Sequence, residues 1–136
     1  MREYILPIRP RSKARPRTTR TGHIHMPQLY LDWKRLVRLT MAELYDPAPI
    51  QGRVRLEVVF RFPTEPAGDK DNLIGGLMDA LQGDGPGCLW LDDKQIIDQR
   101  SYWEPSWEKV IVLRVSEAAV PELPPKPKKP RKRGAA

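Results

Sequence analysis

The chain has 136 residues, of which 40% are apolar, enough for one domain with a real core and too few for two. It has no run of 18 apolar residues and no apolar stretch behind Met1-Arg2-Glu3-Tyr4, so neither a membrane span nor a secretory signal is expected. One cysteine, Cys88, excludes an internal disulfide, reads as structural, and points to a reducing, cytoplasmic setting.

The formal charge of +7 is unevenly placed. Residues 1–22 carry seven Lys/Arg against Glu3 alone, and residues 121–136 carry six against Glu122. The stretch between them is net acidic. Such a layout suits basic segments on a phosphate backbone and an acidic body that binds metal.

In chain order, residues 3–8 (Glu3 to Ile8) read as a first strand. Residues 9–22 have no apolar period and form a basic arm, in which Arg9, Arg11, Lys13, Arg15, Arg17 and Arg20 alternate with small residues or proline. Extended by Pro10 and Pro16, this arm is a candidate DNA-binding track. A short extended piece is expected near 22–27. From Gln28 to Tyr45, Leu29, Trp33, Leu36, Val37 and Leu44 recur at helical spacing, until Pro47 and Pro49. Arg53 to Phe62 alternates as a half-buried strand with Val54, Leu56, Val58 and Phe60 on one face. A second helix, capped by Asp71 or Asn72, runs to about Leu81, with Leu73, Ile74, Leu77, Met78 and Leu81 on its core side. After a glycine-rich loop at 82–87, residues 96–103 and 109–115 read as two strands of a hairpin joined around Glu104-Pro105-Ser106. From Pro121 the composition collapses to Pro, Lys and Arg, which predicts a disordered tail. The expectation is a single-domain α+β fold over 1–120, a mixed sheet flanked by two helices, with a basic tail at 121–136.

The carboxylates Asp69, Asp71, Asp79, Asp92 and Asp93 fall within a short span. Asp69 and Asp71 are two apart, and on extended chain both leave one face. A hard divalent cation needs only two or three such oxygen ligands, and close carboxylates repel one another without one. An ion held by Asp69, Asp71 and an acid of the 92–93 pair would polarise a phosphoryl oxygen and supply hydroxide near neutral pH. The plainer alternatives are Asp71 as a helix cap, Asp92-Asp93 as a turn and Asp79 as solvated surface. Gly75 and Gly76 would let another backbone approach the second helix. His23 and His25 read as surface residues. Of the four tryptophans, Trp90, beside the acidic pair, is the candidate for DNA contact.

Asp69-Lys70-Asp71-Asn72-Leu73, Met78-Asp79-Ala80-Leu81 and Trp90-Leu91-Asp92-Asp93-Lys94-Gln95 together resemble the RusA family of Holliday junction resolvases. The likeness is dense over 68–100 and looser over about 1–117, where it includes the basic segment Ser12 to Arg17. It implies a homodimeric, Mg²⁺-dependent endonuclease, with Mn²⁺ as the alternative ion, that cuts four-way DNA junctions by paired, symmetric hydrolysis and uses no small-molecule cofactor or membrane. By position, Asp69, Asp71 and Asp93 match the family's catalytic, metal-binding aspartates. Asp92 shares the metal role, and Asn72, Asp79 and Lys94 stand as supporting positions. The family commonly has a lysine three residues after the Asn, where this chain has Gly75; Lys94, Lys13 or Arg15 are the candidates to supply that charge. Two rival readings are a junction-binding protein that does not cleave and a basic RNA-binding accessory protein.

Overall fold

The computed structural model of the chain describes residues 1–119 and 122–128. In order these form β1 (Arg2–Leu6), β2 (Arg17–Thr18), β3 (Ile24–His25), α1 (Gln28–Leu44), β4 (Arg53–Phe62), α2 (Lys70–Leu81), a single 3-10 turn at Asp93–Gln95, β5 (Ile96–Pro105) and β6 (Val110–Ala118). Four strands make one mixed sheet in the order β1-β6-β4-β5, while β2 and β3 pair as a small exposed hairpin within the arm. This is the small α+β fold expected from the sequence.

β4 lies inside the sheet because its alternating apolar residues suit burial from both neighbours. Val54, Leu56, Val58 and Phe60 face a core shared with both helices and with Leu6, Ile111, Leu113 and Val115. The half-buried reading fails at one point. Val59 is also fully buried, on the opposite face, where it packs with Val110, Val112 and Tyr102. Burying that second small cluster adds apolar area removed from water at about 25 cal/mol per Å².

The expected hairpin between the last two strands is not formed. β5 pairs with β4 in parallel and β6 pairs with β4 antiparallel, so β4 separates them. Residues 106–109 step across its end, where the Ser106 N–H donates to the Phe62 carbonyl oxygen at 3.1 Å. The turn expected at 104–106 falls later, since Glu104 and Pro105 still pair with β4 as the last residues of β5.

α1 forms where predicted, with its buried face turned. Tyr30, Trp33, Val37 and Met41 are buried, at 3-4-4 spacing, while Leu29, Leu36 and Leu44 are exposed. The turn buries the largest side chains and brings the Tyr30 hydroxyl to Asp79. α2 presents Leu73, Ile74, Leu77, Ala80 and Leu81 to the core. Its N-cap is Asp69, not Asp71 or Asn72, so the helix starts earlier than expected. Among the described residues no helix is long and apolar enough to cross a membrane. Of the predicted disordered tail, residues 122–128 are exposed and carry no helix or strand; the remainder of 121–136 lies outside the described residues.

Candidate active site

The loop after β4 delivers the first acidic pair to the start of α2. Gly68, at φ 105°, takes a turn that side chains rarely adopt, and Asp69 follows in extended conformation. The Asp69 carboxylate accepts the Asp71 N–H at 2.9 Å, which caps the helix and satisfies one of its free amides. Asp71 therefore sits in the first helical turn and not on an extended segment. Both side chains are exposed, beside the positive end of the helix dipole. Lys70 turns away and pairs with Glu65.

A second acidic group forms around Asp79 and Asp93. The Tyr30 hydroxyl donates to one Asp79 oxygen at 2.7 Å, and Lys34 lies 3.1 Å from the same atom. Burial alone would raise the Asp79 carboxyl, but the bonds from Tyr30 and Lys34 and the charges of Lys34 and Lys13 hold it below the ordinary range. The fully buried Trp90 donates its indole N–H to Asp93 at 2.9 Å. Gln82 ties the two acids, donating to Asp79 at 3.4 Å and accepting the Asp93 N–H at 3.2 Å. Asp93 is pushed up by its own burial and by the negative charges of Asp79 and Asp92, against the Trp90 bond and the Lys13 charge. Two half-buried carboxylates in one neighbourhood are thus driven in opposite directions, an arrangement frequent at functional sites.

The basic arm runs across α2. The Lys13 N–H donates to the Asn72 carbonyl oxygen at 2.9 Å, and Ala14 packs against the core. Gly76 is the reason this fits: a Cβ there would stand 2.3 Å from the Arg11 carbonyl oxygen. The close-approaching backbone is therefore the chain's own arm. A Cβ at Gly75 would meet the Lys13 side chain at 3.7 Å, so the room at Gly75 is bordered by a lysine from the arm. Arg9, Arg11, Lys13, Arg15, Arg17 and Arg20 are exposed, and among the described residues none is in an ion pair.

The remaining predicted positions are less central. Asp92 caps the 3-10 turn, accepting the Lys94 N–H at 2.8 Å, while Gln95 accepts the Asp92 N–H at 2.9 Å. Lys94 is exposed on that turn, and Asn72 is exposed and holds the arm through its carbonyl. Trp90, singled out for DNA contact, is fully buried, because its ring fills the core and its indole N–H is spent on Asp93. The exposed tryptophan is Trp107, which borders an open cleft of about 630 Å³ with Arg9, Phe62, Pro66 and Lys109. Tyr30, Lys34 and Gln82 were not foreseen; in the sequence they are ordinary polar positions on or beside helices.

Oxygen-only ligands at Asp69, Asp71 and Asp93 suit a hard divalent ion in kind, and a cation would relieve the strain on ionised Asp93. Among the described residues no three acidic, histidine or cysteine side chains stand close enough together to hold an ion. The acids divide into the Asp69–Asp71 pair at the helix start and the Asp79–Asp93 group farther along.

A comparison with curated proteins finds no match. The family model for endodeoxyribonuclease RusA matches residues 7–115, from the end of β1 through the arm, both acidic groups and most of β6, and the chain belongs to that family.

Proposed function

We propose that this chain is a Holliday junction resolvase that hydrolyses phosphodiesters in four-way DNA with a divalent ion, Mg²⁺ first and Mn²⁺ as the alternative. The observation that carries the reading is the crossing of arm and helix: the Lys13–Asn72 bond holds the arm, whose cations form no ion pair among the described residues, across the same helix that begins with Asp69 and Asp71. Asp69, Asp71 and Asp93 are the proposed catalytic ligands, with Asp92 in support. Asp69 and Asp71 are both exposed at the helix start, where Asp69 keeps one oxygen on the Asp71 N–H and has the other free for an ion. The ion, when bound, polarises a phosphoryl oxygen and acidifies water.

The chain's own residues account for the rest. The arm cations hold the phosphate backbone and set its register without reading bases. Trp90 and Gln82 fix the orientation of Asp93. Hydrolysis adds water at phosphorus and breaks one P–O ester bond, leaving a phosphate monoester and a hydroxyl. A homodimer would set two such sites on a two-fold symmetric junction, which makes the cuts paired by geometry.

Binding without cleavage is the second reading, favoured by the separation of the acids into two groups. Labelled four-way DNA, duplex and single strands, incubated side by side with Mg²⁺ over a range of pH, separate the two. Symmetric nicks confined to the four-way substrate support the resolvase. Tight binding with no nick at any pH leaves only the binder.

A further inference from the structure

Residues 11–15 alternate in exposure: Ser12 and Ala14 are partly buried, and Arg11, Lys13 and Arg15 are exposed. Lys13 is exposed, yet its side chain lies against α2. Its Cβ and Cδ each lie 3.7 Å from the place a Cβ on Gly75 would occupy, an ordinary contact distance, so the stem runs along the helix surface. Gly75 is four residues after Asp71 and four before Asp79, and the three share one stripe of α2. The helical rise separates Asp71 from Asp79 by about 12 Å along that stripe. Lys13 lies on its middle, between the two acidic groups.

Of the other cations around these acids, three on the helices are engaged, while Lys94 stands exposed on the 3-10 turn. Lys34 is paired with Asp79, and Lys70 with Glu65. Arg38 donates to the carbonyl oxygens of Ala80 and Asp79 at 2.7 and 3.4 Å. Lys13 has no ion pair among the described residues, yet its charge acts on both Asp79 and Asp93.

We propose that Lys13 is a catalytic cation of this site, seated beside Gly75 so that its ammonium meets a non-bridging oxygen of the scissile phosphodiester. The inference rests on the nuclease reading above and names a residue that reading does not require. As water adds to phosphorus and the ester bond breaks, negative charge grows on the phosphoryl and leaving oxygens. An ammonium there stabilises the transition state more than the bound substrate, and so acts on the rate more than on affinity. Its place beside Gly75 also makes the role portable. A lysine grown from position 75 starts from the same spot, with no backbone in its way.

The full-length protein is assayed on four-way DNA by single-turnover cleavage with Mg²⁺ and by junction affinity with Ca²⁺ in its place. Lys13→Met keeps the stem and removes the charge; it is expected to slow cutting about 100-fold, the scale of losing one charge-stabilising donor. Affinity should fall only by the small amount of one phosphate contact, with a salt slope shallower by about one. Adding Gly75→Lys to Lys13→Met should return most of the lost rate, which a packing role for Lys13 would not allow. A Lys13→Met protein that cuts like the wild type overturns the proposal. So does a rate loss matched by an equal affinity loss, or a double variant with a normal melting temperature and no recovery. A wild-type chain that binds and never nicks is a different outcome, which removes the reaction and this role with it.

Discussion

On the outer face of the sheet, charges are closed on one another. Arg114 on β6 donates to Glu57 on β4 at 2.7 Å and to Glu3 on β1 at 3.2 Å, and Arg100 on β5 lies 3.7 Å from Glu57. These are cross-strand partners in register, Glu3 with Arg114, Arg114 with Glu57 and Glu57 with Arg100. On the helix side Lys34 closes on Asp79 and Lys70 on Glu65, but Asp69, Asp71 and six arm cations hold no ion pair among the described residues. The sheet face uses charge to align strands. The arm, Asp69 and Asp71 leave theirs unmatched, which is the state a polyanion and a cation can complete.

The largest expected contrast is catalytic. Asp71→Asn keeps the helix start, because its backbone N–H still donates to Asp69, and removes one charge from the open cluster. Cleavage of four-way DNA should fall by at least about 100-fold, as expected when a charge-stabilising group leaves a reacting centre. Junction affinity should hold or rise, since an acid near DNA is lost. Arg114→Ala, on the closed face, should leave the cleavage rate unchanged at temperatures where the protein is folded. Equal losses in the two variants would erase the distinction between the faces.

Next in size is the glycine pair. Gly76→Ala forces a methyl to 2.3 Å from the Arg11 carbonyl oxygen, backbone against backbone, so the arm must shift. A destabilisation of about 1–3 kcal/mol follows from such overpacking, read by denaturant melts, together with weaker DNA binding. Gly75→Ala meets only the Lys13 stem at 3.7 Å and gains helix propensity of about 1 kcal/mol. Opposite signs at adjacent glycines test whether the arm is docked or merely near.

How far the sequence could show this depends on the range of the forces involved. Alternation in Arg53 to Phe62 and helical spacing in Leu73 to Leu81 are local, and a strand and a helix form there, apart from the second buried face at Val59 and the earlier cap at Asp69. The D-x-D-N block with the later Asp-Asp pair is likewise local, and marked the acids. Sheet order is not local: nothing in residues 96–118 says that β4 will come between their strands. Nor does the sequence say that Lys13 will lie over Gly75, 62 positions away, because that contact exists only once the arm crosses α2. Leu29 and Leu36 misled for a related reason. Of the expected stripe Trp33 and Val37 are buried, but Leu29, Leu36 and Leu44 gave way to Tyr30 and Met41, which complete the buried face with them.

A smaller effect tests how Asp93 is held. Its folded carboxyl is raised by burial and by Asp79, so its favourable contribution is present below the ordinary carboxylate range and is lost as pH rises through the folded value. Asp93→Asn still accepts the Trp90 bond and escapes that loss. In metal-free protein it should melt higher than wild type near pH 7, with the gap closing as pH falls below the carboxylate range. Cutting should nonetheless be lost. A destabilised Asp93→Asn protein would mean that the acid serves the fold.

The smallest effect belongs to the closed face. Glu57 is held below the ordinary range, chiefly by the hydrogen bond from Arg114, with Tyr102 and Arg100 assisting against partial burial. A lowered carboxyl contributes stability above its unfolded value and loses it as pH falls through the folded one, the reverse of Asp93. Glu57→Gln should therefore cost stability near neutral pH and little in acid. The pair is partly exposed and salt-screened, so the cost should stay below about 1 kcal/mol and shrink with added salt. Opposite pH signs for Asp93→Asn and Glu57→Gln, measured by melts of one metal-free background, would locate the difference between the two faces in the carboxylates themselves. Matching signs would place it in the sheet and helices that carry them.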